Sequence, residues 1–122
     1  MKLIVAGSRD FSDYDLLQKS INEICNKYNI TEIVSGTARG ADSLGELYAK
    51  DNGILCSKFP AEWDRYGKSA GHKRNYDMAK YADIAIVFWD EKSRGTKNMI
   101  DTMKKLKKPL IVNLYKGDDD EW

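Results

Sequence analysis

Five short apolar runs, at residues 3–6, 33–36, 54–58, 84–88 and 110–114, alternate with stretches of helical periodicity along the whole chain. This alternation constrains the fold more than any other feature. Runs of four or five apolar residues bounded by Gly, Pro or polar clusters predict buried strands. Between residues 12 and 28, the Ser12-x-x-Asp15 box and an inner face of Leu17, Ile21, Ile24 and Tyr28 predict a helix of about 16 residues. Ala41, Leu44, Leu47 and Tyr48 predict a second helix closed near Asn52-Gly53. A third is expected from about Ala70 to Tyr81 with Met78 and Tyr81 inward, and a fourth on Met99, Ile100, Met103 and Leu106. Residues 59–69 show no period. Strands linked by helices form parallel sheets with right-handed crossovers and helices on both faces. The expected fold is therefore α/β: a single Rossmann-like three-layer sandwich with a five-stranded parallel sheet.

The chain has 122 residues, enough for one domain. The expected domain is 1–116, followed by an acidic tail at 117–122. Twenty basic residues face nineteen acidic ones, a net charge of +1. Setting aside Asp118, Asp119, Asp120 and Glu121 leaves a body of about +5. Nucleic acid is a disfavoured partner on this balance, because DNA-binding domains usually carry a marked basic excess. No apolar run approaches a membrane span, and the first is too short for a signal-peptide core. The expected compartment is the cytoplasm. Cys25 and Cys56 are widely separated and read as buried reduced thiols. With a single histidine, His72, the sequence implies no metal and no resident cofactor.

Function concentrates at the carboxyl ends of the strands, where open parallel sheets hold their ligands. Strand one runs into Gly7-Ser8-Arg9-Asp10. Strand two runs into Ser35-Gly36-Thr37-Ala38-Arg39-Gly40-Ala41-Asp42. Strand four runs into Trp89-Asp90-Glu91-Lys92-Ser93-Arg94-Gly95-Thr96. Glycines admit a ligand to the backbone, and a helix start offers unpaired N–H groups and a positive dipole end. Arg9, Arg39 and Arg94 add bidentate donors. Any one such segment can be a plain turn, but three arginine-bearing glycine turns at one edge point to an anion. The dinucleotide fingerprint G-x-G-x-x-G is absent, as is a Walker A loop, and no acid stands at the end of strand two to hold a ribose.

Across residues 4–96 these motifs, together with residues 59–68, Arg74-Asn75 and Met78, resemble the SLOG superfamily, the Rossmann-like group named after the SMF/DprA and LOG proteins. More narrowly they are similar to its small YspA-like, YpsA-related branch of bacteria and phages. The resemblance implies a site for a nucleotide or nucleotide-derived ligand. The LOG enzymes of this superfamily cleave the N-glycosidic bond of nucleoside monophosphates. By resemblance to them, Arg74 takes the place of an active-site arginine, and Gly95-Thr96 that of the phosphate loop. Their glutamate, the third residue after the threonine, is replaced here by Met99.

The expected ligand-binding residues are Gly7, Ser8 and Arg9; Ser35, Gly36, Thr37, Arg39, Gly40 and Asp42; Trp63, Arg74 and Asn75; and Trp89, Ser93, Arg94, Gly95 and Thr96. Trp63 and Trp89 either stack on a base or pack beneath a loop. Arg65, Lys68, Lys73 and Arg74 form a basic run that is either a solvated face or a phosphate contact. His72 reads as a surface residue. Lys104, Lys105, Lys107 and Lys108 suit the carboxyl end of their own helix. The expected function is binding of a nucleotide-derived molecule by a sensor or sequestering protein, with a homo-oligomer compatible. The alternative is a glycosidic or phosphoester hydrolase using Arg74 with Asp90 and Glu91, or with Asp42 or Asp77 as the acid.

Overall fold

A computed structural model of the chain describes residues 1–116; the acidic tail expected at 117–122 lies outside them. Five strands, β1 (Lys2–Gly7), β2 (Glu32–Ser35), β3 (Leu55–Lys58), β4 (Ile84–Trp89) and β5 (Leu110–Leu114), form one sheet in the order β3-β2-β1-β4-β5. Every neighbouring pair is parallel. The helices are α1 (Tyr14–Lys27), α2 (Ala41–Asp51), α3 (Trp63–Tyr66), α4 (Ala70–Tyr81) and α5 (Arg94–Lys105). The order reverses between β1 and β4, which makes the carboxyl ends of these two strands the switch point.

Alternation along the central strands divides the core into two layers. Leu3, Val5, Ile33, Ile84, Ile86 and Phe88 pack with Leu17, Ile21 and Ile24 of α1 and Tyr48 of α2. Ile4, Ala6, Val34, Ala85 and Val87 pack on the other side with Met78 of α4 and Met99, Ile100 and Met103 of α5. This is the expected α/β sandwich. Burial on both faces holds for β1, β2 and β4 but lapses at the edges, where Leu55 of β3 and Ile111, Val112 and Leu114 of β5 are exposed. The helices cover the middle of the sheet and leave its margins open.

Several local expectations shift for identifiable reasons. The cap of α1 is Asp13, whose carboxylate accepts the Leu16 N–H at 3.0 Å, one residue beyond the expected Ser12. Tyr28 ends that helix in extended backbone and is exposed rather than inward. Leu47 is also exposed. α2 packs so tightly that a Cβ on Gly45 would lie 2.7 Å from the Cβ of Val5, so the face carrying Ala41, Gly45, Tyr48 and Ala49 meets the sheet and Leu47 turns outward. Tyr81 is a rim residue: it lies beneath the Lys2 ammonium, and its hydroxyl donates to Glu32. The aperiodic segment 59–69 contains the four-residue α3 and a 3-10 turn, Gly67–Ser69. Lys108 lies past the end of α5 and serves its neighbour instead: its ammonium donates to the carbonyls of Ala79, Lys80 and Ala82, closing α4. Cys25 and Cys56 are free thiols and only half-buried.

Candidate ligand site

At the switch point a cavity of about 280 Å³ opens between the loops that follow β1, β2 and β4. Its floor is Ala6 and Gly7 at the end of β1, with Met78 and Met99 from α4 and α5. Gly36, Ala38 and Asp42 form one wall. Ser93, Gly95 and Thr96 form the opposite wall. Trp63, Lys68, Gly71 and His72 stand on the third side with Arg74 and Asn75, and Arg9 lines the cavity from the β1 loop.

The glycine loop after β2 is tightly specified. Gly40 has φ +76°, and a side chain there would overlap the Ser8 carbonyl, so the β1 and β2 loops touch through it. Thr37 also adopts a positive φ of 65°, which is strained for a β-branched residue. Its N–H donates to Ser35 Oγ at 3.0 Å, and the next N–H, of Ala38, donates to Asp42 Oδ2 at 3.1 Å. The Arg74 guanidinium crosses from α4 to donate to the Gly36 carbonyl. A Cβ at Gly36 would stand 2.7 Å from Arg74 Nη1 and 2.8 Å from Asp42 Oδ2, so only glycine leaves both groups their places.

On the opposite wall, Ser93 caps α5: its Oγ accepts the Thr96 N–H at 3.3 Å and shares a hydrogen bond with Thr96 Oγ1. The N–H groups of Arg94 and Gly95, in the first turn, have no carbonyl four residues back within the helix. Space beside Gly95 is open. Asn75 latches the two helices, donating to the Gly95 carbonyl and to Asn98 while accepting from Arg74 Nε.

Burial raises the Asp42 carboxyl to about 6, against the opposing pull of the Ala38 N–H and the nearby Arg74 and Arg9 cations; Glu46 adds to the rise. Burial also lowers the Arg74 guanidinium from its ordinary value, although the Asp42 charge works the other way.

The expected residues fall into distinct groups. Gly7, Arg9, Gly36, Asp42, Trp63, Arg74, Asn75, Ser93, Gly95 and Thr96 all border the cavity. Ser35, Thr37 and Gly40 shape the loop without lining it, and Ser35 Oγ donates to Glu46. Ser8 joins loops, its N–H donating to the Phe88 carbonyl and its Oγ accepting from Asp90 N–H. Trp89 packs on the core and donates through Nε1 to the Ser93 carbonyl. Arg39 and Arg94 stand at the same edge of the sheet but are exposed and outside the lining. Asp90 Oδ1 accepts from the N–H groups of Lys92 and Ser93. Burial works against that ionised carboxylate, yet these bonds hold it below its ordinary value. Glu91 is exposed with φ 67°. Neither Asp90 nor Glu91 borders the cavity, nor does Asp77. Lys68, left open as a solvated face or a phosphate contact, borders it, and Gly71, His72 and Met99 do so without having been expected as ligand contacts. The basic run around Gly67 and Gly71 was the one trace of Gly71 and His72.

Among the described residues no helix is long and apolar enough to cross a membrane. The chain is 28% identical over 120 residues to the "Gene 61 protein" of Mycobacterium phage D29, an alignment covering 90% of this chain and 94% of that protein. Residues 1–66 match the profile of YAcAr, the YspA, cpYpsA-related SLOG family. That match takes in β1, β2, β3, both of the first two glycine loops and Trp63, more than half of the chain. A five-stranded parallel sheet whose switch point carries those loops is the setting they require, and the chain belongs to the YspA, cpYpsA-related SLOG family.

Proposed function

We propose that the protein binds a nucleotide or nucleotide-derived ligand in the switch-point cavity and acts as a small cytoplasmic sensor or sequestering protein. Membership of a SLOG family supports a nucleotide-related ligand. The observation that carries the reading is the convergence of Arg9, Arg74 and the first turn of α5 on one cavity. Cationic forks and unpaired N–H groups suit a phosphate. Half-exposed Trp63 at the rim offers a face for a base. A volume of about 280 Å³ lies near the small end of ligand cavities and suits one nucleotide better than two.

Calorimetry with a panel of nucleoside mono- and diphosphates tests this. Arg9 is exposed and borders the cavity, so Arg9→Ala leaves the fold intact. It is expected to weaken binding by about 1.5–3 kcal/mol, the scale of a hydrogen bond to a charged group, and less in high salt. Saturable binding that ignores Arg9→Ala, or no binding at all, would reject the site.

Hydrolysis is the second reading. Met99 can neither accept a proton nor carry charge, and Asp90 is engaged by turn N–H groups. A hydrolase would therefore draw on Asp42, the cavity's own carboxyl, with Arg74 beside it. Chromatography of nucleoside monophosphates after incubation decides: release of free base or phosphate that Asp42→Asn abolishes favours the enzyme, and intact nucleotide favours the binder.

A further inference from the structure

Phosphate binding leaves one group in the cavity unexplained. Asp42 is the one carboxylate among the lining residues, where Arg9, Lys68 and Arg74 provide positive charge. A carboxylate repels an anion, and its burial is costly. It is 5% exposed, yet it borders the open space.

Its position suggests what it is for. Gly36 directly follows β2, and a Cβ there would stand 2.8 Å from Asp42 Oδ2. The first turn of α2 thus delivers to the carboxyl end of β2 the acid that the strand itself lacks. In open parallel sheets that bind nucleotides, an acid at this place accepts hydrogen bonds from ribose hydroxyls. Asp42 is also oriented by the Ala38 N–H, which donates to its Oδ2 at 3.1 Å.

We propose that Asp42 accepts the hydroxyls of the ligand's sugar, so that the cavity selects ribonucleotides over 2′-deoxyribonucleotides. This rests on the nucleotide reading above. The charged groups facing Asp42 are Arg74 from α4, Glu46 from α2 itself and Arg9 from the β1 loop, with the Ala38 N–H beside them. Lys68 and His72 border the same cavity. Because the carboxyl titrates near 6, the preference for ribose develops as pH rises through that value. A change on the phosphate side moves both sugars alike and leaves their ratio unchanged.

The test is calorimetry of the whole chain with AMP and dAMP, and with GMP and dGMP, at about pH 7.5 and about pH 5. The native protein is expected to bind at least one ribonucleotide roughly tenfold or more tighter than its 2′-deoxy form near pH 7.5, with a smaller ratio near pH 5. In Asp42→Asn the ratio is expected to fall to about twofold or less, whatever happens to absolute affinity. A residue that merely braced the loop would weaken both sugars equally and leave the ratio intact. Equal affinities in the native protein, or an unchanged ratio in a folded Asp42→Asn, would overturn the ribose role alone. Failure to bind any of the four nucleotides or inorganic phosphate would overturn the nucleotide reading and the ribose role together.

Discussion

Gly36, Asp42 and Arg74 act as a unit because each occupies space that the others define. In Gly36→Ala the new methyl group meets the far end of Arg74 before any backbone, so the side chain swings rather than the sheet. The expected result is a change in stability of about 1–2 kcal/mol, the strain of modest overpacking, with a larger proportional loss of ligand affinity. Parallel urea unfolding and calorimetry check it. Asp42 also sets a pH dependence. Its carboxyl rises from an ordinary 3.8 to about 6 on folding, so between these values the native state holds a proton that the unfolded chain releases. Stability contributed at this residue therefore falls as pH rises through about 4 to 6, and the full cost above 6 is about 3 kcal/mol. Urea unfolding between pH 4 and 7 should show this slope in the native protein and lose it in Asp42→Asn. Contact between Arg74 and Gly36 was beyond sequence reasoning, since spacing says nothing about two positions that meet only through a crossover. Position after a strand likewise placed Arg39 and Arg94 at the correct edge of the sheet, but it does not determine where a long exposed side chain points.

Elements were legible where burial imposed a period. The strands stood out because the central ones are covered on both faces and so read as unbroken apolar runs. The four longer helices announced themselves by their inner faces. α3 did not, because four residues with no buried member leave no stripe to detect. Close packing at Gly45 moved Leu47 out of its expected face, an effect that hydrophobic spacing alone does not encode. Lys108 shows the same limit for charge. Its sequence position suggested a role for its own helix, whereas its ammonium satisfies three carbonyls around the end of α4. Lys108→Met keeps the aliphatic stem and removes the donors. It is expected to lower stability by about 1–2 kcal/mol, the scale of a cation at a partly buried helix end. The midpoint of denaturant unfolding reads this directly, and an unchanged midpoint would show that water replaces the ammonium at no cost.

On the scale of the whole molecule, the sheet order brings three loops distant in sequence to one place. The reversal between β1 and β4 parts the crossovers to either face, and the cavity lies where they diverge. Below it, two apolar layers hold the strand ends in register; above it, Ser93, Asn75 and Arg74 tie the loops to one another. We propose that this one place receives the ligand. Amide chemical-shift mapping of the labelled protein during a titration with AMP, and with GMP in parallel, tests it most directly. Saturating shifts are expected at Arg9, Gly36, Ala38, Gly95 and Thr96, with the indole of Trp63 moving too, and no change in the surface of α1 or along β5. Shifts concentrated on α1 and β5, or saturation that leaves Gly36 and Gly95 in place, would contradict it.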